Sequence, residues 1–424
     1  MILLYSVRIF QKLIILEEES SLIKRSLSIL AIFLLVFTAS VSAAKLPDPS
    51  NGSSVGKKNQ ESILKLKKNE TEKKYKSNEK VRVIVEMKEA PAIEIASKEG
   101  KLFKELSKNK RQQLKSEKLA NQKKVKSKVK EKKIAFKELE SFTTVVNGFS
   151  AELQYGEIKK VEAMPEVAEV HIANEYKRAV EKPDMVYSKE LVQAQEAWRE
   201  YGYKGEGMVV GIIDTGIDPA HRDMVLNDEN KAELTESEIS GIKDSSHLLG
   251  NYYTAKVPYG YNYMDENEEI LDLGEEASMH GMHVAGTAGA NGDEENGGIK
   301  GVAPEAQLLA LKVFGNDPAM QTTWGDIYIK AIDDAIILGA DVLNMSLGST
   351  AGFVSAEDPE QQAVSRAVNN GILMSISAGN SAHFGNGFAN PTASNPDIGV
   401  SGSPGLAHDS VQVASVENNF MDLD

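Results

Sequence analysis

The 424-residue sequence predicts an α/β protein built on a parallel sheet, preceded by a smaller α+β domain. Apolar runs in the second half are continuous, as in strands that helices cover on both faces. One run of the first half, over 81–86, alternates and contains β-branched residues, which indicates a strand. Charge also divides the chain, because residues 1–180 hold 36 Lys and Arg against 23 Asp and Glu, whereas 181–424 hold 12 against 39. The asymmetry indicates two modules with different tasks, whose opposite charges would attract each other.

Composition excludes several classes of site. The chain has no cysteine, which excludes disulfides, thiolate metal sites and a cysteine nucleophile. The basic half is equally well explained as a solvated helical face. Nucleic acid is not an expected partner, because no aromatic residues for base stacking are interleaved with the basic residues.

The N-terminal region has the pattern of a secretory signal. Lys24 and Arg25 precede an apolar run over 26–41, and small residues follow at 41–44. The run is short for a membrane span, so a permanent anchor is the less favoured alternative. We expect a signal peptide region over 1–43, a flexible linker over 44–79, and a secreted or cell-envelope protein of a bacterium. No membrane span is expected after signal removal.

The segment 80–177 has the pattern of a small α+β domain. Its predicted elements are a strand over 81–86, a Lys-rich helix or helical pair over 97–140, a hairpin over 142–153 that turns at Asn147 and Gly148, a short helix over 156–163 and a strand over 167–172. The alternation of strands and helices predicts a small α+β sandwich.

Three apolar runs of the second half end in polar residues. The run 208–213 leads into Asp214, the run 341–345 into Ser346, and the run 372–377 into Gly379 and Asn380. The carboxyl ends of buried parallel strands are where α/β sheets place their active sites. Asp214 as a cap of the next turn and Asn380 as a turn residue remain the plainer alternatives.

Two histidines stand three residues apart, at His280 and His283. Such a spacing invites a metal interpretation, but the third ligand and the spacing of a zinc-binding helix are missing. Gly281 and Gly286 favour a closely packed helix instead. We therefore expect His280 to be the functional imidazole at the start of a helix and His283 to be buried and hydrogen bonded.

These motifs resemble one protein family. "IIDTGID", "HGMHVAGT" and "SAGN" occur in the order found in subtilisin-like serine proteases, and "NGFSAEL" with "MPEVAEV" resembles their inhibitor-type propeptide. The resemblance implies a three-layer parallel sheet over 196–424, a ferredoxin-like propeptide domain over 80–177, and a processing linker over 178–195. It also implies a peptide or protein substrate and a propeptide that acts as an intramolecular inhibitor.

The resemblance implies roles residue by residue. Asp214 would orient the imidazole, His280 would act as general base and then general acid, and Asn380 would stabilise an oxyanion. The residues implied to line the substrate cleft are Ser346, Leu347, Gly348, Ser377, Ala378 and Gly379. The chemistry needs no cofactor. Asp223 falls where the family often places a structural calcium ligand, although the loop over 291–298 departs from the family's short pattern.

The pattern breaks at the nucleophile. The family's serine lies in a Gly-Thr-Ser-Met-Ala-like motif, which is absent here, and Ser403 lies in a Gly-Ser-Pro-Gly turn. The run over 411–416 is typical of a late core strand. The segment 395–418 resembles large cell-envelope relatives, which insert a further domain after this strand, with the serine beyond it. We therefore expect an incomplete catalytic domain whose serine lies beyond residue 424. The alternative is a catalytically inactive protein that acts as a binding or inhibitory module.

Overall fold

The computed structural model describes residues 75–178, 188–274, 277–318, 320–350, 352–380 and 401–415, which belong to one compact unit. The predicted signal peptide, most of the 44–79 linker and residues 179–187 of the predicted processing linker lie outside the described residues. Within the described part of the chain, no helix is long and apolar enough to cross a membrane.

The first domain is a four-stranded antiparallel sheet with helices. Its elements are β1 (Lys80–Met87), α1 (Ala92–Lys98), α2 (Lys108–Glu131), β2 (Phe136–Phe142), β3 (Gly148–Gln154), α3 (Ile158–Glu162) and β4 (Val167–Ile172). The strand order is β2-β3-β1-β4, and alternate residues of β1, among them Val81, Val83 and Val85, enter one hydrophobic cluster. The predicted α+β domain is confirmed.

The Lys-rich stretch differs from the prediction of a helix over 97–140. The helix α2 begins after Ser107, whose side chain accepts a hydrogen bond from the Lys110 amide at 3.3 Å, and residues 136–142 form β2 instead. One face of α2 is buried, because Lys118 Nζ reaches Glu89 at 2.6 Å and Gln122 donates to the Phe142 carbonyl at 2.8 Å. The basic helix is therefore only partly a solvated face.

The second domain carries the parallel sheet. Before it, the short strand β5 (Glu175–Lys177) ends the predicted propeptide segment 80–177. The first elements after β5 are α4 (Ser188–Leu191), α5 (Ala194–Tyr201), β6 (Val209–Asp214), α6 (Glu236–Ser246), β7 (Tyr259–Asn262) and α7 (His280–Gly289). The remaining elements are β8 (Gln307–Lys312), β9 (Thr322–Trp324), α8 (Gly325–Leu338), β10 (Val342–Met345), α9 (Pro359–Asn369), β11 (Leu373–Ser377) and β12 (Val411–Val413).

Six of these strands form one sheet in the order β12-β11-β10-β6-β8-β7, and every pairing is parallel. Val209 and Ile213 of β6 join the cluster that contains the apolar face of α8, whereas Ile212 joins a second cluster with Ala285 of α7. The sheet is thus buried on both faces, which is why its strands are continuous apolar runs. The predicted α/β fold with a parallel sheet is confirmed.

A buried carboxylate on α8 joins the two domains. The oxygens of Asp333 accept hydrogen bonds from the backbone N–H groups of Thr143, Thr144 and Val145, at 3.1, 2.8 and 2.8 Å. These amides follow β2 and have no strand partner, so the carboxylate supplies the acceptors that buried N–H groups require. The predicted hairpin therefore exists between β2 and β3, but Val145 lies in its loop rather than in its first strand.

Candidate active site

The centre of the site is a contact between the end of β6 and the start of α7. Asp214 Oδ1 lies 2.8 Å from His280 Nδ1 and also accepts the Thr215 amide at 2.7 Å. The Asp214 side chain is fully buried, while 15% of the His280 side chain is exposed. A carboxylate in this position holds the ring that it contacts in one orientation.

Small residues bring the two elements together. The Gly281 amide donates to Thr215 Oγ1 at 3.0 Å, and a Cβ atom at Gly281 would lie 2.7 Å from the backbone N and O of Gly216. Real Cβ atoms do not approach backbone so closely. Only glycine therefore lets the first turn of α7 reach the end of β6, and this approach sets the position of His280.

His283 lies one turn further along α7 and is half-buried rather than fully buried, unlike the prediction. Its carbonyl accepts a hydrogen bond from Thr287 Oγ1 at 3.0 Å. Of the two histidines, His280 therefore contacts Asp214, whereas His283 lies within the helix.

The predicted cleft residues follow β10 and β11, which succeed β6 in the sheet. Leu347 is buried in the main core, and its carbonyl lies 3.5 Å from Ser377 Oγ, so the segments 346–348 and 377–379 are adjacent. Gly379 has a positive φ of 97°, which turns the chain, and Asn380 after it is exposed. These segments, like Asp214, lie at the carboxyl ends of neighbouring parallel strands. Their roles in binding and oxyanion stabilisation remain predictions.

The extended segment at the end of the propeptide region pairs with β9, a strand that the sequence analysis did not identify. The strand β5 pairs antiparallel with β9, with Tyr176 opposite Thr323, and the Arg178 amide continues the ladder to the Gln321 carbonyl at 3.0 Å. A strand of three residues gives no usable alternation, so β9 could not be predicted from the pattern. The two strands form a separate two-stranded sheet, so the end of the inhibitor-type region pairs with the segment that precedes α8.

The side chain of Tyr176 enters a buried acidic pocket. Its hydroxyl donates to Glu360, which also accepts the Tyr328 hydroxyl at 2.6 Å and the Asn174 amide at 3.1 Å. Burial raises the pKa of the Glu360 carboxyl to about 7. No signal in the sequence indicates this role, because an acidic residue in the first turn of a helix is expected for its favourable interaction with the helix dipole.

Asp223, the predicted calcium ligand, contacts groups of the protein itself. Its Oδ2 accepts the Ile299 amide at 3.2 Å, and its Oδ1 lies 3.7 Å from Arg222 Nε, so protein groups already compensate the carboxylate. Across the described ranges, no group of three or more His, Cys, Asp or Glu side chains could hold a metal ion. The loop over 291–298 instead folds around Asp223, where a Cβ at Gly298 would lie 2.9 Å from Oδ1. Calcium binding at Asp223 therefore stays a prediction.

A parallel sheet with a carboxylate and an imidazole at the carboxyl ends of its strands, preceded by a small α+β domain, is typical of α/β peptidases that carry an inhibitor-type propeptide. The comparison with protein families agrees with this class. The Subtilase family matches residues 205–421, and the Peptidase inhibitor I9 family matches residues 82–179. The chain belongs to the subtilase family of serine peptidases and carries an I9 inhibitor domain.

Individual relatives are much longer than this chain. A PII-type proteinase of Lacticaseibacillus paracasei is 43% identical over 284 residues, which is 66% of this chain and 15% of that protein. A PIII-type proteinase of Lactococcus lactis subsp. cremoris has the same identity over 14% of its length. A C5a peptidase of Streptococcus pyogenes is 34% identical over 224 residues, 51% of this chain and 18% of that protein. The chain thus spans less than a fifth of each of these relatives.

Proposed function

We propose that the protein is the precursor of an extracytoplasmic serine endopeptidase that cleaves peptide bonds through an acyl-enzyme. The observation that carries the proposal is the 2.8 Å contact between Asp214 Oδ1 and His280 Nδ1 at the carboxyl end of a buried parallel strand. Membership of the subtilase family and the proteinase names of the relatives support a peptide substrate. The predicted signal peptide supports the location.

The proposed chemistry assigns one task to each group. His280 Nε2, the ring nitrogen that Asp214 does not contact, takes the proton of a serine hydroxyl as the hydroxyl attacks the scissile carbonyl. The serine is the one expected beyond residue 424. Asp214 stabilises the imidazolium, and the Asn380 amide donates to the oxyanion. The imidazolium then protonates the leaving amine, and water attacks the acyl-enzyme by the same route in reverse.

The propeptide would keep this cleft closed. We propose the boundaries 80–177 for the inhibitory domain and 196–424 for the part of the catalytic domain in this chain. The pairing of β5 with β9 supports inhibition, because an added strand uses the backbone groups that a substrate would use. Cleavage within 178–195 would release the strand and open the site.

The test is hydrolysis of a denatured protein by the product of the complete coding sequence. We expect hydrolysis that a serine-directed sulfonyl fluoride abolishes, and a loss of about 10⁶-fold in kcat in the His280→Ala variant. As a control, His247→Ala changes a surface histidine at the end of α6 and should retain activity.

Hydrolysis that survives His280→Ala would contradict the assignment. A complete coding sequence without a serine nucleophile, and a product without activity, would support the alternative of a binding or inhibitory module.

A further inference from the structure

The backbone of the bound leader segment is held by contacts that any extended peptide can make. Residues Glu175–Lys177 pair with Thr322–Trp324, and the amide of Arg178 adds a further bond to Gln321. Main-chain pairing of this kind provides affinity without sequence preference, and side-chain pockets provide the preference. Alternate residues of an extended strand point to the same side. Tyr176 and Arg178 are buried, whereas Lys177 between them is exposed.

The Arg178 side chain occupies a pocket built for a cation. Its Nη1 lies 2.5 Å from Asp272 Oδ1, its Nη2 donates to the Gly315 carbonyl at 2.6 Å, and its guanidinium carbon lies 5.8 Å from the centre of the Phe314 ring. The two charged side chains are 3% and 1% exposed. A carboxylate buried to this degree is costly unless a cation compensates it. A neutral side chain in the pocket would remove the cation that contacts Asp272 directly and leave it with the electrostatic attraction of the buried Lys312.

The pocket adjoins the proposed catalytic pair. Asp272 Oδ2 accepts the amide of Met279 at 2.9 Å, and Met279 directly precedes His280. A Cβ at Gly216, two residues after Asp214, would lie 3.3 Å from the Asp272 amide. A side chain that pairs with Asp272 is therefore held beside the start of α7 and the end of β6.

We propose that the cleft selects peptide substrates with a basic residue, arginine above all, at the position that Arg178 fills, and that Asp272 determines this preference. The proposal rests on the proposed peptidase function. The leader is then an inhibitor that matches the substrate requirement of its own cleft, and Asp272 is a specificity-determining residue rather than a catalytic one.

The experiment uses the processed enzyme from the complete coding sequence and peptides that copy residues 174–183, with Arg, Lys, Gln or Glu at the position of Arg178. The tyrosine at the position of Tyr176 stays constant to fix the register. We expect kcat/KM to fall in the order Arg, Lys, Gln, Glu, with Arg about 10- to 100-fold above Gln, because a hydrogen bond between charged groups is worth that much. The difference should lie mainly in KM, since the contact exists before the chemical step.

The variant Asp272→Asn keeps an oxygen for the Met279 amide but removes the charge. We expect its Arg and Gln peptides to differ by less than about threefold, with the Gln peptide cleaved as well as by the unchanged enzyme. The matched control is Glu268→Gln, which removes an exposed charge from the same loop and should preserve the preference. Equal cleavage of the four peptides by the unchanged enzyme, or an arginine preference that survives Asp272→Asn, would overturn the proposal.

A second measurement separates this proposal from the peptidase function. In the 424-residue chain, amide exchange of residues 174–178 is compared among Arg178→Gln, Asp272→Asn and the double variant. Each single change should speed amide exchange. The double change should lower the free energy of local opening by less than the sum of the two single effects, because neither buried charge then lacks its partner. Strictly additive effects would reject charge recognition at Asp272. If the effects of the two changes on exchange are non-additive but no peptide is hydrolysed, the peptidase function is rejected and the recognition of Arg178 by Asp272 is not.

Discussion

At the scale of single residues, the contact between Asp214 and His280 is the basis of the proposed chemistry. The sequence predicted both residues, because each stands at the boundary of a distinctive apolar or small-residue run. The acids that face the leader segment, Asp272 and Glu360, were not predicted. An isolated aspartate in a loop and a glutamate in a first helical turn have common structural explanations, and only the folded contacts reveal their partners.

Replacing the buried carboxylate tests its orienting role. We expect Asp214→Asn to lower kcat by about 10⁴-fold near neutral pH with little change in KM, because an amide favours the wrong imidazole tautomer. Steady-state kinetics of the processed enzyme measure both constants. The control is Asp218→Asn, which keeps an acceptor for the Ala220 amide and should leave kcat unchanged. A loss below tenfold at Asp214 would count against the triad.

The Glu360 carboxyl predicts a pH dependence of leader binding. Burial raises its pKa to about 7 from an ordinary 4.5, with Asp358 a further cause, so the buried state binds a proton more tightly than an exposed carboxyl does. The resulting stabilisation is complete below about pH 4.5 and is lost as the pH rises through about 7. The facing hydroxyls of Tyr176 and Tyr328 stay protonated, because burial raises their pKa values well above 10.0.

We therefore expect β5 to be more strongly protected from amide exchange at about pH 5 than at about pH 8, after correction for intrinsic exchange rates. The Glu360→Gln variant should lose this difference, since its side chain does not titrate. Protection that rises with pH in the unchanged chain would show that Glu360 has the opposite effect.

At the scale of elements, the sequence predicted β6, β10 and β11 of the parallel sheet, but not β7 and β8 of the same sheet, nor β2, β5 and β9. Continuous apolar runs identify β6, β10 and β11 because helices cover both of their faces. The strand β2 escaped prediction because it is Lys- and Glu-rich and only partly buried, so it resembles the helix before it. The three-residue β9 is recognisable only through its pairing with β5.

The approach of α7 to β6 gives a test at this scale. Gly281→Ala would place a Cβ 2.7 Å from the Gly216 backbone, so the helix must move and carry His280 away from Asp214. We expect a loss of about 1–3 kcal/mol in the free energy of unfolding, as for other overpacked sites, together with a large loss of kcat. Urea unfolding and kinetics measure the two effects.

The matched control is Gly241→Ala in α6, where a Cβ would meet nothing within 4 Å. It should preserve activity and raise stability by up to about 1 kcal/mol, because alanine favours a helix over glycine. If the two variants have the same stability and the same kcat, the close approach of α7 to β6 does not determine either property.

At the scale of the whole molecule, the leader domain and the parallel sheet are joined by buried polar contacts. The charge asymmetry predicted attraction between them, and Arg82 does pair with Asp326 at 2.8 Å, but Arg366 pairs with Glu94 in the opposite sense. The contact of Asp333 with three backbone amides could not be predicted. Nearly every residue has a backbone amide, so residue types do not indicate which amides a carboxylate will bind.

Removing this carboxylate should loosen the leader domain. We expect Asp333→Ala to speed amide exchange in residues 143–145 at least about tenfold, because each buried N–H left without an acceptor costs about 1–3 kcal/mol. Mass spectrometry of exchanged peptides from the whole chain measures the rate. Asp244→Ala, which removes an exposed carboxylate from α6, should leave exchange unchanged. If residues 143–145 exchange as slowly in the Asp333 variant as in the unchanged chain, Asp333 does not stabilise this loop of the leader domain.

The helix α8 has one side in the core of the parallel sheet and presents Asp326 and Asp333 to the leader domain. The leader precedes this helix in the chain, so the ribosome delivers the antiparallel sheet before the segment that must pack upon it. A nascent α8 therefore emerges beside a surface already bearing the cation and the amides that its two aspartates need. We therefore expect the leader domain to fold first and to guide the packing of α8 against it.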